Sequence, residues 1–368
     1  MMPIYNGRCP PTTAGMRIES SESREDERER RLNSCKLFEP GDIGLQSGQT
    51  LRDARLAYVT FGELNEARDN AIVMPTYYGG SHVDNARLIG DGHTLDPSRY
   101  FIVVPNLLGN GVSSSPSNTT SGQGGADFPR VTLFDNVMLQ HRLITEQLGI
   151  DRLALVCGFS MGAQQTYHWA ALFPDMVERI LPWCGSAKTS RHNYVFLEGA
   201  KAALTADDAW RDGAYDAPPV KGLRAFGRVY AGWGPSQAFY REQAYRDLGF
   251  ATVEEFIVGQ WEERFVQKDA NDLLAMLWSW QNADISANTR YNGDFDAALR
   301  GIKARALVMP SQTDQYFPVA DSEYEVSILT NAELRPIPSI WGHMAGSPGL
   351  NPKDNAFLDS AMRELLES

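Results

Sequence analysis

The sequence lacks any apolar run near the ~18 residues that a membrane-spanning helix needs, so no membrane span is expected. Its first residues also lack the basic-then-apolar pattern of a secretory signal. Cysteine is scarce. Cys9, Cys35, Cys157 and Cys184 are scattered, with no Cys-x-x-Cys pair and no Cys/His cluster. That spacing predicts neither a disulfide framework nor structural zinc, and it fits a reducing, cytoplasmic compartment. Positive charge is in deficit: 34 Lys and Arg stand against 46 Asp and Glu, a net charge of -12. Phosphate backbones are bound by clustered Lys and Arg, so nucleic acid is not expected as a partner. No phosphate loop, Rossmann glycine fingerprint or metal-ligand spacing is present.

What is present is a chain of 368 residues with 43% hydrophobic and 22% charged residues, long enough to bury a sizeable core. Residues 1–40 read as a separate mobile extension. They hold Pro3, Pro10 and Pro11 and the charged run from Ser23 to Arg31, which has no apolar stripe. From Gly41 onward, short apolar runs recur between turn residues. Residues 43–47 and 51–61 read as two strands around Ser47-Gly48-Gln49, and further runs cover 71–74, 101–104, 153–157, 180–184, 306–309 and 334–337. Runs of this kind suit strands buried on both faces of a parallel sheet. Helical spacing over 137–148 and 161–173 lies between them, so the fold class expected is a doubly wound α/β sheet. The strand-helix rhythm breaks over 187–300, where helical patterns at 195–204, 253–266 and 271–280 come with many aromatics. This reads as a helical lid inserted between the core segments 41–186 and 301–368. Residues 106–125 are rich in Ser, Gly and Asn and read as a long loop.

The chemistry concentrates at Gly158-Phe159-Ser160-Met161-Gly162, with an apolar strand running in and a helical pattern running out. This is the signature of a nucleophile elbow, a turn so tight that side chains near the serine must be small. A serine hydroxyl needs a base held by a third group, and here the chain order is Ser, then acid, then His. Of the six histidines, His343 follows the last strand pattern, whereas His168 lies two turns along the elbow helix and reads as a packing residue. Asp314 follows the penultimate run and is the acid. Asp321 is the runner-up and reads rather as a helix cap. An oxyanion needs two N–H donors. Met161 N–H supplies one, and the loop Pro75-Thr76-Tyr77-Tyr78-Gly79-Gly80 supplies the other, through Tyr77 or alternatively Tyr78. A serine at position 160 excludes dehalogenation, which would need a carboxylate there.

With these residues placed, the chain from about Phe38 onward resembles the homoserine O-acetyltransferase family of the α/β-hydrolase superfamily. The marks are Leu56-Ala57-Tyr58-Val59-Thr60-Phe61-Gly62-Glu63-Leu64-Asn65, Arg99-Tyr100-Phe101 leading to Pro105-Asn106-Leu107-Leu108-Gly109, Ser160-Met161-Gly162-Ala163-Gln164, Asp269-Ala270-Asn271 and Gly342-His343. The resemblance implies an acetyl group taken from acetyl-CoA by Ser160 and passed to a homoserine hydroxyl, with a helical lid used for a homodimer. It supports Ser160, Asp314 and His343 as triad and Tyr77 and Met161 as oxyanion donors. The departures are informative. The family has His-Ala-x-Thr-Gly where this chain has Pro75-Thr76-Tyr77-Tyr78-Gly79. It has an acid after Gly-His that holds the substrate ammonium, and here Met344 stands in that place. Its carboxylate-binding arginine aligns with Lys201, a point charge that cannot act as a bidentate fork.

Acyl transfer is therefore expected, with homoserine recognition altered. The favoured expectation is hydrolysis of a small or medium ester, thioester or lactone, with no cofactor, in a pocket furnished by Trp261, Trp278 and Trp280. The alternative is O-acyl transfer from an acyl-CoA co-substrate held by Lys188, Arg191 and Lys201. A non-catalytic binding protein that keeps the fold is the third. Tyr78, Lys201 and Met344 are the candidate substrate-binding residues.

Overall fold

The computed structural model describes residues 35–119 and 122–368. The apolar runs form the strands β1 (Lys36–Gly44), β2 (Thr50–Phe61), β3 (Ala71–Val73), β4 (Phe101–Pro105), β5 (Leu155–Phe159), β6 (Arg179–Trp183), β7 (Arg305–Val308) and β8 (Ala332–Leu334). They make one sheet in the order β1-β2-β4-β3-β5-β6-β7-β8. β1 and β2 pair antiparallel, as do β2 and β4, and every later pairing is parallel. Successive side chains of a strand point to opposite faces. Ile72, Val104, Leu155 and Leu181 accordingly pack toward one side, with the helical insertion. Val73, Val103, Val156 and Ile180 pack toward the other. All eight are fully buried, and each such side chain contributes about 1.5–3 kcal/mol relative to exposure.

The helix Leu133–Arg142 opens with a capping box in which Thr132 and Asp135 satisfy each other's backbone. The helix Met161–Leu172 follows β5 directly. Between β6 and β7 the chain is helical, with Arg191–Thr205, Val220–Ala231 and Ala270–Gln281 as the long pieces. Asp269 accepts hydrogen bonds from the N–H groups of Asn271 and Asp272 at the start of the last of these. Over residues 106–119 the polar loop is held by its own side chains: Ala57 N–H donates to Ser113 Oγ (3.0 Å), and Ser113 Oγ donates to Asn106 O (2.9 Å). The loop also holds the insertion, since Ser117 donates through N–H (2.9 Å) and Oγ (2.6 Å) to Asp272. Burial pushes the Asp272 carboxyl up to about 7, against the lowering effect of those two bonds.

Several expectations need correction. β1 begins at Lys36, so residues 36–40 belong to the sheet rather than to a separate extension. Gly41, at φ +78°, takes up the register shifts beside it. Residues 1–34 lie outside the described part of the chain. Cys35 is disulfide-bonded, while Cys157 and Cys184 are free and buried; cysteine spacing therefore no longer argues for a reducing compartment. The last strand ends at Leu334, because Pro336 and Pro338 have no N–H to continue a ladder. The expected helices at 137–148 and 253–266 contain π-helical turns, Leu143–Gln147 and Ile257–Glu262. Asp321 lies inside the first turn of Val319–Ile328, whose cap residue is Pro318, so it does not cap that helix. No helix among the described residues is long and apolar enough to cross a membrane.

Glu325 ties three elements together. Its carboxylate accepts from Tyr167 Oη (2.7 Å) on the helix after β5 and from Ala187 N–H (2.6 Å) beyond β6. Burial pushes its carboxyl up to about 8. The folded state thus holds this proton more tightly than the unfolded chain, so the stability it contributes is lost as pH rises from the ordinary glutamate range through about 8. Glu325→Gln should lose less melting temperature than the wild type between pH 6 and pH 9, by about 2–4 °C per kcal/mol recovered. Identical pH dependence of the two melting curves would contradict this.

Candidate active site

The turn at Ser160 is set by contacts that only glycine allows. A Cβ on Gly158 would lie 2.5 Å from the backbone of Gly162, and one on Gly162 would lie 2.8 Å from Pro75 O. Between them Ser160 takes φ 56° and ψ −121°, a strained conformation that costs about 1–3 kcal/mol. The serine stands at the junction of β5 and the Met161–Leu172 helix and is buried.

The structure brings Ser160, His343 and Asp314 into one hydrogen-bonded row. Ser160 Oγ lies 2.9 Å from His343 Nε2, and His343 Nδ1 lies 2.7 Å from Asp314 Oδ2. The other carboxylate oxygen of Asp314 accepts from the N–H groups of Tyr316 (2.8 Å) and Phe317 (3.2 Å), so the carboxylate cannot rotate away. The imidazole is walled by Phe159 and Tyr316, each with ring centroids 4.7 Å from it. His168 Nδ1 donates to Gln164 O (2.8 Å) within its own helix, away from this row.

Neither Met161 N–H nor Tyr77 N–H donates to an acceptor among the described residues; the same holds for Tyr78 N–H. What distinguishes Tyr77 is a buried side chain that the motif reading missed. Gln165 Nε2 donates to Thr76 O (2.9 Å) and to Met161 O (3.1 Å). Thr76 O belongs to the same planar peptide as Tyr77 N–H, so this bond sets the plane of that N–H. Gln165 is itself held by Gln140, whose Nε2 donates to Gln165 Oε1 (2.6 Å), and Trp169 Nε1 donates to Gln140 Oε1 (2.9 Å). A glutamine four residues along a helix looks like any packing position in sequence, so only its partners reveal the role.

A narrow cavity of about 50 Å³ opens above Ser160. The loop after β3 contributes Tyr77 and Tyr78, the insertion contributes Tyr230, Trp261 and Trp280, and Met344 follows His343. Burial raises the Tyr77, Tyr78, Tyr230 and Tyr316 hydroxyls well above the usual range, so these groups stay neutral. Among the described residues, no Asp or Glu lines the cavity. Met344, in the place of the family's acid, is buried in the lining.

Other expected residues lie elsewhere. Lys201 pairs with Glu198 (2.5 Å) on the exposed side of its helix and is not part of the lining. Lys188 pairs with Asp284 (2.6 Å), and Arg191 is exposed at the start of the Arg191–Thr205 helix. Trp278 stacks under Arg130 rather than facing the cavity. Arg191 and Trp278 point outward because helical periodicity places them on the face opposite the buried one, whereas Lys188 stands before the helix in an isolated bridge to Asp284. The charged residue that does line the cavity, Arg264, was not singled out by the sequence reading.

Residues 78–346 match the model of the alpha/beta hydrolase fold family. The chain belongs to that family. It is 40% identical over 336 residues to the ethyl acetate hydrolase of Pseudomonas veronii, covering 90% of this chain and 95% of that protein. The solved structure of the acetyl esterase MekB superposes with a TM-score of 0.89 at 39% identity, over 92% of this chain and 99% of that one. The homoserine O-acetyltransferase of Chloroherpeton thalassium is 31% identical over 319 residues, 82% of each chain. The chain is thus an α/β-hydrolase enzyme with both esterase and acetyltransferase relatives.

Replacing Gln165 with Leu is expected to lower kcat by about 10–100-fold with a smaller change in KM, since a donor displaced by an ångström loses about that much. Steady-state kinetics on a short ester, beside a melting curve that certifies folding, reads the effect. A kcat equal to wild type would remove Gln165 from this positioning role.

Proposed function

We propose that the protein hydrolyses small carboxylic esters, acetate esters of short alcohols among them, through an acyl-enzyme on Ser160. The observation that carries this reading is the Ser160–His343–Asp314 row beneath a cavity that holds no carboxylate to answer an ammonium group. An amino-acid acceptor such as homoserine would leave its ammonium unpaired there, at several kcal/mol, whereas water needs no such partner. The names of the relatives at about 40% identity support the same reading.

In this mechanism His343 Nε2 takes the Ser160 proton as Oγ attacks the ester carbonyl. Asp314 accepts from His343 Nδ1–H, fixing the tautomer and stabilising the imidazolium. The carbonyl π electrons move to oxygen, where Met161 N–H and Tyr77 N–H receive the charge in concert with the N-terminal end of the elbow helix. Collapse breaks the bond to the alcohol oxygen, which takes the proton from His343. Water then attacks the acyl-enzyme, giving its proton to His343, and the acid leaves as Ser160 Oγ regains that proton. The cycle as written needs no cofactor. A homodimer through the helical insertion goes with this reading; Tyr194 and Val195, 45% and 64% exposed on the Arg191–Thr205 helix, offer an apolar outer face for it.

Acid release from ethyl acetate, followed at constant pH, should be rapid in the wild type. It should fall by at least about 10³-fold in Ser160→Ala, and by about 10⁴-fold in Asp314→Asn, which leaves the imidazole in the wrong tautomer. Thiol release from acetyl-CoA that requires L-homoserine, with no ester hydrolysis, would overturn the reading in favour of acyl transfer.

A further inference from the structure

Hydrolysis of a neutral acetate ester leaves one feature of the cavity unused. Arg264 lies on the Glu263–Val266 turn of the insertion, half-buried, and its side chain lines the cavity. It is the one arginine or lysine in the lining, and no carboxylate faces it there. The guanidinium makes no hydrogen bond or ion pair with any described residue. Nearby carboxylates are engaged elsewhere: Glu262 accepts from Arg228 Nε (2.5 Å) and lies 3.6 Å from Arg224, and Asp84 accepts from Ser81 N–H (2.8 Å).

Two further observations point the same way. The Arg264 charge acts on the hydroxyls of Tyr77, Tyr78, Tyr230 and Tyr316, lowering each against the effect of burial, so its field reaches across the cavity. The same lining holds buried polar atoms without a hydrogen-bond partner among the described residues, Trp261 Nε1, Trp280 Nε1 and Tyr316 Oη among them. Unanswered buried donors and an unpaired guanidinium each cost stability, and a bound acceptor removes that cost. In a protein of net charge -12, a lone positive charge in the lining selects for an anion.

Resting on the hydrolytic reading above, we propose that the ester this cavity is shaped for carries a second, anionic group, a carboxylate, which Arg264 grips as a fork with two parallel hydrogen bonds. Two ester classes bring that chemistry: half-esters of short dicarboxylic acids, with the carboxylate on the acyl side, and O-acyl esters of short hydroxy acids, with it on the alcohol side. Arg264 is then the residue that sets specificity, and the reaction at Ser160 is unchanged.

The experiment compares kcat/KM for monomethyl succinate with methyl butyrate, and for acetoxyacetate with propyl acetate, in wild type, Arg264→Met and Arg264→Lys. The anionic-to-neutral ratio of one pair should fall about 10–100-fold in Arg264→Met, chiefly through KM, with partial recovery in Arg264→Lys. The pair that responds identifies the side that carries the carboxylate. Ratios unchanged in both pairs would overturn the proposal and leave Arg264 as a residue whose stem covers apolar surface. A second measurement separates this outcome from failure of the hydrolytic reading: titration calorimetry of monomethyl succinate and of acetoxyacetate into Ser160→Ala, with and without Arg264→Met. Loss of about tenfold or more in affinity for either compound supports the anion site even if no ester is turned over. Equal affinities for both compounds overturn it.

Discussion

Everything at this site depends on how closely the helix after β5 is allowed to approach the loop after β3. Gly162 presses against Pro75 O at a distance no side chain would permit, and Gly158 presses against Gly162 in turn. That double contact forces the backbone at Ser160 into a conformation it would not choose, and it carries the strain from well-packed parallel strands on both sides. The buried chain Trp169, Gln140, Gln165 then locks the two backbones together, with Gln165 bonding the peptide groups of both. Strain at Ser160 and order at the Thr76–Tyr77 peptide thus have one origin.

The insertion is part of the same construction. His343 N–H donates to Gly234 O (2.8 Å), Ser236 Oγ donates to Ile340 O (2.5 Å), and Gln315 Nε2 donates to Pro235 O (2.8 Å). A short piece of the insertion therefore holds both the histidine loop and the acid loop. Gly342, at φ +64°, is what lets that piece come so near: a Cβ there would sit 2.6 Å from Gly234 O. On the opposite side Ser117 holds Asp272, so the insertion is tied to the core at both rims of the cavity. A segment that only covered the cavity would not need to bond the catalytic loops. Here the wall of the cavity and the geometry of the base are set by the same residues.

The sheet, the elbow and the meeting of Ser160, His343 and Asp314 in one hydrogen-bonded row were legible in sequence, and the reasons are local. Runs such as residues 71–74 and 101–104 suit strands buried on both faces of a sheet, and Gly158 to Gly162 between a strand pattern and a helical pattern suit a tight turn. Chain order then left His343 and Asp314 with few rivals. What stayed hidden depended on contacts between distant segments. Helical periodicity over 195–204 predicts a helix there, yet it does not say which face meets the cavity; Lys201 pairs with Glu198, and Lys188, ahead of that helix, pairs with Asp284. Gln165 is silent in sequence because its partners, Gln140 and Thr76, are 25 and 89 positions away. The strand boundary at Lys36 was masked by Glu39-Pro40-Gly41, which reads as a break and is in fact a bulge at the edge of the sheet.

The replaced acid at Met344 and the lone Arg264 make one electrostatic statement. A zwitterionic amino acid needs a negative and a positive partner in the same small volume, and this cavity offers only the positive one. Its walls are neutral phenols and indoles, whose ionisation is suppressed by burial, so they cannot supply the missing negative charge. Such a cavity discriminates by charge rather than by shape: it admits a neutral or anionic ester and penalises an ammonium. Water, which brings no charge and needs no pocket of its own, is then the acceptor least affected by the change.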